Sequence, residues 1–169
     1  MEDVFNIGNN SLLEFNSDLL GIQIGVLFII IAFLFKLAAS PFHMWVPDVY
    51  EGAPSIVTAF FAIVPKLAIF MTFLNIIFNP FLMIFPIITQ PILGIVGLLS
   101  VIIGSLGALN QSRMKRLIAY SAIGHIGYIL LSIVPGTING IQSALIYFIV
   151  YIIMSINTFT LIFSIYGQN

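Results

Sequence analysis

Two lysines, Lys36 and Lys66, stand in otherwise apolar sequence. Between them the chain gathers four prolines, a histidine, its only tryptophan and two carboxylates, in KLAASPFHMWVPDVYEGAPSIVTAFFAIVPK. A lysine in apolar surroundings sheds and regains its proton as its neighbourhood changes, and two ammonium groups held close together each disfavour the other's proton. The chemistry this suggests is proton transfer at low dielectric. Lys66 falls about eleven residues into an apolar run, or ~16 Å at 1.5 Å per residue, which is mid-membrane depth. Ionisable groups at that depth mark functional paths. Lys36 is one turn from the end of its run, so a snorkelling role at the headgroups is also open to it.

A second set lies downstream. Ser121, His125, Tyr128 and Ser132 recur at i, i+4, i+7 and i+11, which is one face of a helix, with Gly124 and Gly127 beside them. This stripe has the composition of a hydrogen-bonded water path, although a helix histidine can equally be a satisfied core residue. Asn157, Thr160 and Ser164 form a weaker stripe, read as helix–helix hydrogen bonding. His43, Asp48 and Glu51 have the spacing H-x4-D-x2-E across a proline, which matches no familiar metal site, and no metal is expected. The two carboxylates are read as helix caps and proton attractors at a channel mouth, with His43 and Glu51 lining it. Glycine-rich phosphate loops, nucleophile elbows and glycosidase-type carboxylate pairs are missing from the sequence.

The elements that must position these groups are membrane helices. The 169 residues are 60% hydrophobic and only 7% charged, with mean hydropathy +1.17. A soluble domain carries about 25% charged residues. Apolar runs of ~18 to 25 residues without alternation select helices over a barrel. Cysteine is absent, which removes disulfides and iron–sulfur ligation, and a net charge of −1 offers no basic surface for nucleic acid.

The pattern predicts an all-α integral membrane domain over 19–169, after a polar acidic tail at 1–18. Five spans are expected at about 19–39, 55–78, 92–109, 117–134 and 141–165. The first is broken by a proline-rich, re-entrant segment at 41–54. Pro41 ends the first helix, Pro47 interrupts the re-entrant piece, and Pro65 kinks the second span beside Lys66. Ser100, Gly104 and Ala108 form a small-residue packing face. The short basic loop 110–116 marks the cytoplasmic or matrix side, and 41–54 opens toward the same side. The start of the chain resembles neither a signal peptide nor an Arg-rich transit peptide, which fits synthesis in the compartment of use. The placement expected is the mitochondrial inner membrane, or alternatively a bacterial plasma membrane.

Two stretches are similar to a known family. Pro41-Phe42-His43-Met44-Trp45-Val46-Pro47-Asp48-Val49-Tyr50-Glu51-Gly52-Ala53-Pro54 resembles the antiporter-like membrane subunits of respiratory complex I. Its D-V-Y-E-G-A-P tail resembles the chain 2 family of NADH-ubiquinone oxidoreductase more than Mrp-type antiporters. Gln111–Ser121, followed by Gly124-His125-Ile126-Gly127-Tyr128, resembles the basic loop and next helix of the same family. The resemblance covers about Leu19 to Ile165.

It implies that the five spans are the seventh to eleventh of about fourteen helices. It also implies that Lys36 and Lys66 are proton carriers in a half-channel, and that His125 leads toward a second one. NADH, FMN, iron–sulfur clusters and ubiquinone would belong to other subunits of the complex, with none of them in this chain. The family's glutamate partner for the first lysine lies on an earlier helix, absent here. The resemblance therefore implies a subunit split over separate polypeptides, or else a piece of a longer chain. Its partners would be the remaining pieces, the other membrane subunits and the lipid bilayer. The alternatives are a subunit of an Mrp-type cation/proton antiporter and a structural membrane fragment that does not pump.

Overall fold

A computed structural model describes residues 21–78 and 89–166. The expected acidic tail at 1–18, the first residues of the first span, most of the 79–91 connection and the last three residues lie outside the described residues. Among the described residues six helices follow one another: α1 (Gly21–Leu37), α2 (Trp45–Gly52), α3 (Ser55–Phe78), α4 (Gln90–Leu109), α5 (Met114–Ile133) and α6 (Ile138–Tyr166). Helices α3, α4, α5 and α6 are long and apolar enough to cross a membrane, and α1 is a shorter apolar helix. With no strand among the described residues, the backbone satisfies itself helix by helix, as a lipid-embedded chain must.

Neighbouring helices run antiparallel. Val26 and Ile30 of α1 share a small apolar pocket with Ile77 and Phe73 of α3, while Phe35 and Lys36 share a larger one with Ile69 and Lys66. Rising numbers on α1 therefore meet falling numbers on α3. Phe33 packs on Phe73 with ring centroids 5.5 Å apart. In the same core, Phe70 meets Phe148 of α6 at 4.5 Å.

Helices α4 and α5 form the closest pair, because glycines let the two backbones touch. A Cβ on Gly104 would stand 2.5 Å from the Gly124 amide nitrogen, and one on Gly127 would stand 2.8 Å from the Gly97 carbonyl oxygen. Both are closer than real Cβ atoms come, so side chains are excluded there. Of the small-residue face expected on α4, Gly104 serves this contact. Ser100 turns instead to the helix break, and Ala108 borders a cavity.

The break after α1 differs from expectation in where and how it begins. The helix ends at Leu37, before the proline is reached, because Ala38 takes the left-handed conformation with φ 64°. The Ala38 amide donates to the Phe35 carbonyl at 3.1 Å and the Ala39 amide to the Leu34 carbonyl at 3.0 Å. This pair of bonds is a Schellman cap, in which the turned-back amides satisfy carbonyls that the helix leaves over. Pro41 then lies within the turn.

Pro47 does not interrupt a helix. It sits in the first turn of α2, where a missing N–H costs nothing. Helix α3 continues through Pro65 to Phe78.

The turn is fastened from two sides. The Ser40 amide donates to Ser100 Oγ of α4 at 2.8 Å, and both residues are fully buried. Trp45 Nε1 donates to the Phe35 carbonyl at 3.1 Å, and its ring stacks on Phe35 at 6.0 Å. Irregular backbone at this depth survives only when protein supplies such partners.

Candidate functional site

Lys66 is the twelfth of the 24 residues of α3 and only 3% exposed. Its Nζ lies 3.5 Å from the Tyr151 hydroxyl of α6 and 5.7 Å from that ring's centroid. Among the described residues no carboxylate reaches it. The two described carboxylates, Asp48 and Glu51, belong to an ionic cluster elsewhere. Arg116 pairs with Asp48 at 2.7 Å through Nη2 and with Glu51 at 2.6 Å through Nε, and Arg113 also pairs with Glu51. Lys115 donates to the Ala53 carbonyl at 2.7 Å. The 110–116 loop and the start of α5 thus grip α2 from one end of the bundle, which puts the basic loop and the re-entrant segment on the same side.

Among the described residues, cavities adjoin Lys66 on one side and His125 on two. One of about 430 Å³ is bounded by Lys36, Trp45, Tyr50, Phe61, Pro65 and Lys66. A second, of about 230 Å³, lies between α3, α5 and α6 and is bordered by Ser121, His125, Tyr151 and Ser155. The third, of about 220 Å³, lies between α4 and α5 and is bordered by Ser105, Ser121, His125 and Tyr128. Each has room for several waters. Lys66 borders the first cavity and Tyr151 the second, so their contact closes the gap between the two. His125 borders the second and the third.

A row of polar side chains therefore crosses the bundle at mid-depth. Lys66 reaches Tyr151, whose ring lies 5.5 Å from the His125 ring. The Nδ1 of His125 is 3.0 Å from the Tyr147 hydroxyl, and the Tyr147 ring is 6.0 Å from that of Tyr128. Phenols and imidazoles both donate and accept hydrogen bonds, so such a row can pass a proton with water filling the gaps.

The expected residues thus divide. Lys36, Lys66, His125, Ser121 and Tyr128 all face one or another of the three cavities. Lys36 is exposed on the protein surface, with no hydrogen-bond or ion-pair partner among the described residues. Ser132 donates to the Tyr128 carbonyl of its own helix at 2.9 Å and borders none of the three. Glu51 lies in the arginine cluster. His43 is buried beside the helix break, its Nδ1 without a hydrogen bond. Among the described residues no group of three His, Asp or Glu side chains gathers as a metal set. On the α6 stripe, Thr160 bonds to carbonyls of its own helix.

Tyr50, Tyr147 and Tyr151 were not singled out from sequence. The available signal was weak: Tyr147 and Tyr151 stand at i and i+4 in IYFIVY, which reads as an aromatic packing face until His125 and Lys66 are placed opposite.

Comparison with known proteins agrees with this architecture. The chain is 46% identical over 145 residues to NADH-ubiquinone oxidoreductase chain 2 of Marchantia polymorpha, which covers 86% of this chain and 29% of that protein. It is 46% identical over 141 residues to NADH-quinone oxidoreductase subunit N 1 of Acidiphilium cryptum (strain JF-5), covering 82% and 29%. With NADH-quinone oxidoreductase subunit N of Wolbachia sp. subsp. Brugia malayi (strain TRS) the identity is 47% over 151 residues, covering 89% and 32%. The chain thus spans under a third of the length of these curated relatives. A family model described as "NADH:quinone oxidoreductase/Mrp antiporter, TM" matches residues 2–169. On its helices, its break and its matched length, the chain belongs to the NADH:quinone oxidoreductase/Mrp antiporter transmembrane family.

Proposed function

We propose that this chain is part of the proton-translocating antiporter-like subunit, chain 2 or N, of an NADH:quinone oxidoreductase, and that it carries a segment of that subunit's proton path. The observation that carries the reading is Lys66: an ammonium at mid-depth of a membrane helix, buried without a carboxylate among the described residues, with a cavity to either side of its contact with Tyr151. A purely structural lysine would be neutralised by an ion pair or would reach the headgroups.

In this reading Lys36 and Lys66 are successive stations reached through the first cavity. Beyond Tyr151 the proton moves to His125 and, by way of Tyr147, Tyr128 and Ser121, toward the next half-channel. The arginine cluster holds α2 and keeps Glu51 and His43 near the mouth. The carboxylate partner of Lys36 comes from a segment outside these residues, on the same longer polypeptide or on a separate one. NADH, flavin, iron–sulfur and quinone chemistry resides on other subunits, whose redox work drives the protonation changes. The membrane is the mitochondrial inner membrane or its bacterial counterpart. An Mrp-type antiporter fits the family but not the 44–47% identities to oxidoreductase subunits.

Lys66→Ala in the assembled complex tests the proposal. Proton translocation coupled to NADH oxidation should fall sharply, and normal pumping by a fully assembled variant would reject it.

A further inference from the structure

The short helix α2 brings one side chain to Lys66. Tyr50 is 2% exposed, borders the same cavity as Lys66 and interacts with its ammonium. The ammonium thus has two phenols beside it, Tyr50 and Tyr151. Whatever holds α2 in place also fixes half of the lysine's polar surroundings.

Helix α2 has only eight residues, and no side chain caps its start. A helix this short depends on outside support. It buries Val46 and Tyr50 among Ala62, Ala119 and Phe159, and apolar contact of this kind is non-directional. Thr58 Oγ1 donates to the Tyr50 carbonyl at 3.3 Å and Lys115 Nζ to the Ala53 carbonyl at 2.7 Å, so both hold the C-terminal end. The roll of α2 about its axis is set elsewhere. Asp48 and Glu51 stand at i and i+3, on one face, and at 100° per residue Tyr50 projects about 130° away from it. Arg116 joins both carboxylates, Asp48 at 2.7 Å and Glu51 at 2.6 Å, through a rigid planar fork. Arg113 has a side chain that is 70% exposed and pairs with Glu51 alone. A roll of ~10° would carry a side-chain end ~5–6 Å from the axis through ~1 Å, which is enough to make or break a polar contact.

We propose that Arg116 is a positioning residue for Lys66: by clamping Asp48 and Glu51 it fixes the roll of α2 and so holds the Tyr50 hydroxyl beside the ammonium. The basic loop end of α5 then governs a station on α3 that it does not touch, with α2 as the intermediary.

This inference rests on Lys66 being a proton station, and the test keeps the two ideas apart. Arg116→Gln, Tyr50→Phe, their double variant and Lys66→Ala are made in the assembled complex and reconstituted in vesicles, and the rate of NADH-driven proton pumping is measured. Misplacing a working group by ~1 Å can cost on the order of a hundredfold, so Arg116→Gln should slow pumping about fivefold or more. Phenylalanine keeps the ring of Tyr50 and its packing, so its loss reports the hydroxyl. A residue that acts through this hydroxyl has nothing left to act on once it is gone. The double variant should therefore pump no more slowly than Tyr50→Phe alone, whereas a merely stabilising Arg116 would add its own loss. Losses that multiply, or full pumping by either single variant, overturn the positioning role, and failure of Lys66→Ala in the same series leaves the station standing. Full pumping by Lys66→Ala overturns both. If Arg116→Gln does not assemble, Arg116→Lys takes its place. Its ammonium is a point charge without the fork, so the same non-additive loss is expected, and wild-type pumping overturns the proposal.

Discussion

The bond from the Ser40 amide to Ser100 Oγ gives a direct test of how the helix break survives in apolar surroundings. Both residues are fully buried, and the donor belongs to a turn whose amide has no helical partner. Ser100→Ala removes the acceptor and little volume. The Ser40 amide is then left unsatisfied, because no water or lipid headgroup can reach it. An orphaned buried donor costs about 1–3 kcal/mol, and measured side-chain hydrogen bonds in membranes sit at the low end of that range. About 1–2 kcal/mol is therefore expected, which raises local opening about 5- to 30-fold. Hydrogen–deuterium exchange of the assembled complex reads it as faster exchange confined to 38–44, with α3 and α6 unchanged. Ser100→Cys, a weaker acceptor of similar shape, should fall between serine and alanine. Unchanged exchange at Ser40 in the alanine variant would refute the idea that α4 secures the break.

Two further outcomes follow from close approaches. Gly104→Ala places a methyl 2.5 Å from the Gly124 backbone, so α4 and α5 must part, at about 1–3 kcal/mol; a clearly lower melting temperature of the solubilised complex is expected, and no change would mean that the glycines are not packed as described. At Ala38, glycine relieves about 1–2 kcal/mol of left-handed strain but loses backbone entropy and a buried methyl of similar total size, so Ala38→Gly should be near neutral. Ala38→Val, branched at the same φ, should destabilise by about 2 kcal/mol or more, and a valine variant as stable as the glycine one would contradict the capped ending of α1.

Much of the architecture was legible because lipid leaves few choices. Long apolar runs had to be helices, and the observed ends of α3 to α6 fall within a few residues of those expected. The end of α1 was not legible, since a left-handed alanine looks like any other alanine, and the proline three residues on is the louder signal. Lys66, His125 and Tyr128 stand out in the sequence by charge and period. Tyr147 and Tyr151 could not, because a tyrosine in an apolar helix becomes a relay candidate only when another helix sets a lysine or an imidazole against its hydroxyl. The pairing of Glu51 with Arg113 and Arg116 likewise joins residues more than sixty positions apart. Ser100 read as a small packing residue, and its bond to Ser40 depends on a turn whose path no local pattern foretells.

The fastenings around the break have a mechanical consequence. Ser100 ties the turn to α4, Arg113 and Arg116 tie α2 to the start of α5, and glycine contacts weld α4 to α5. The pieces α1, α2, α4 and α5 thus share one anchored chassis. Lys66 and Tyr151 ride on α3 and α6, which meet each other through Phe70 and Phe148. A small slide or roll of one of those two helices on the other would alter the lysine's surroundings while the break stayed anchored to α4. Sub-ångström shifts there would suffice, because a hydrogen bond at its length limit is made or lost over such distances.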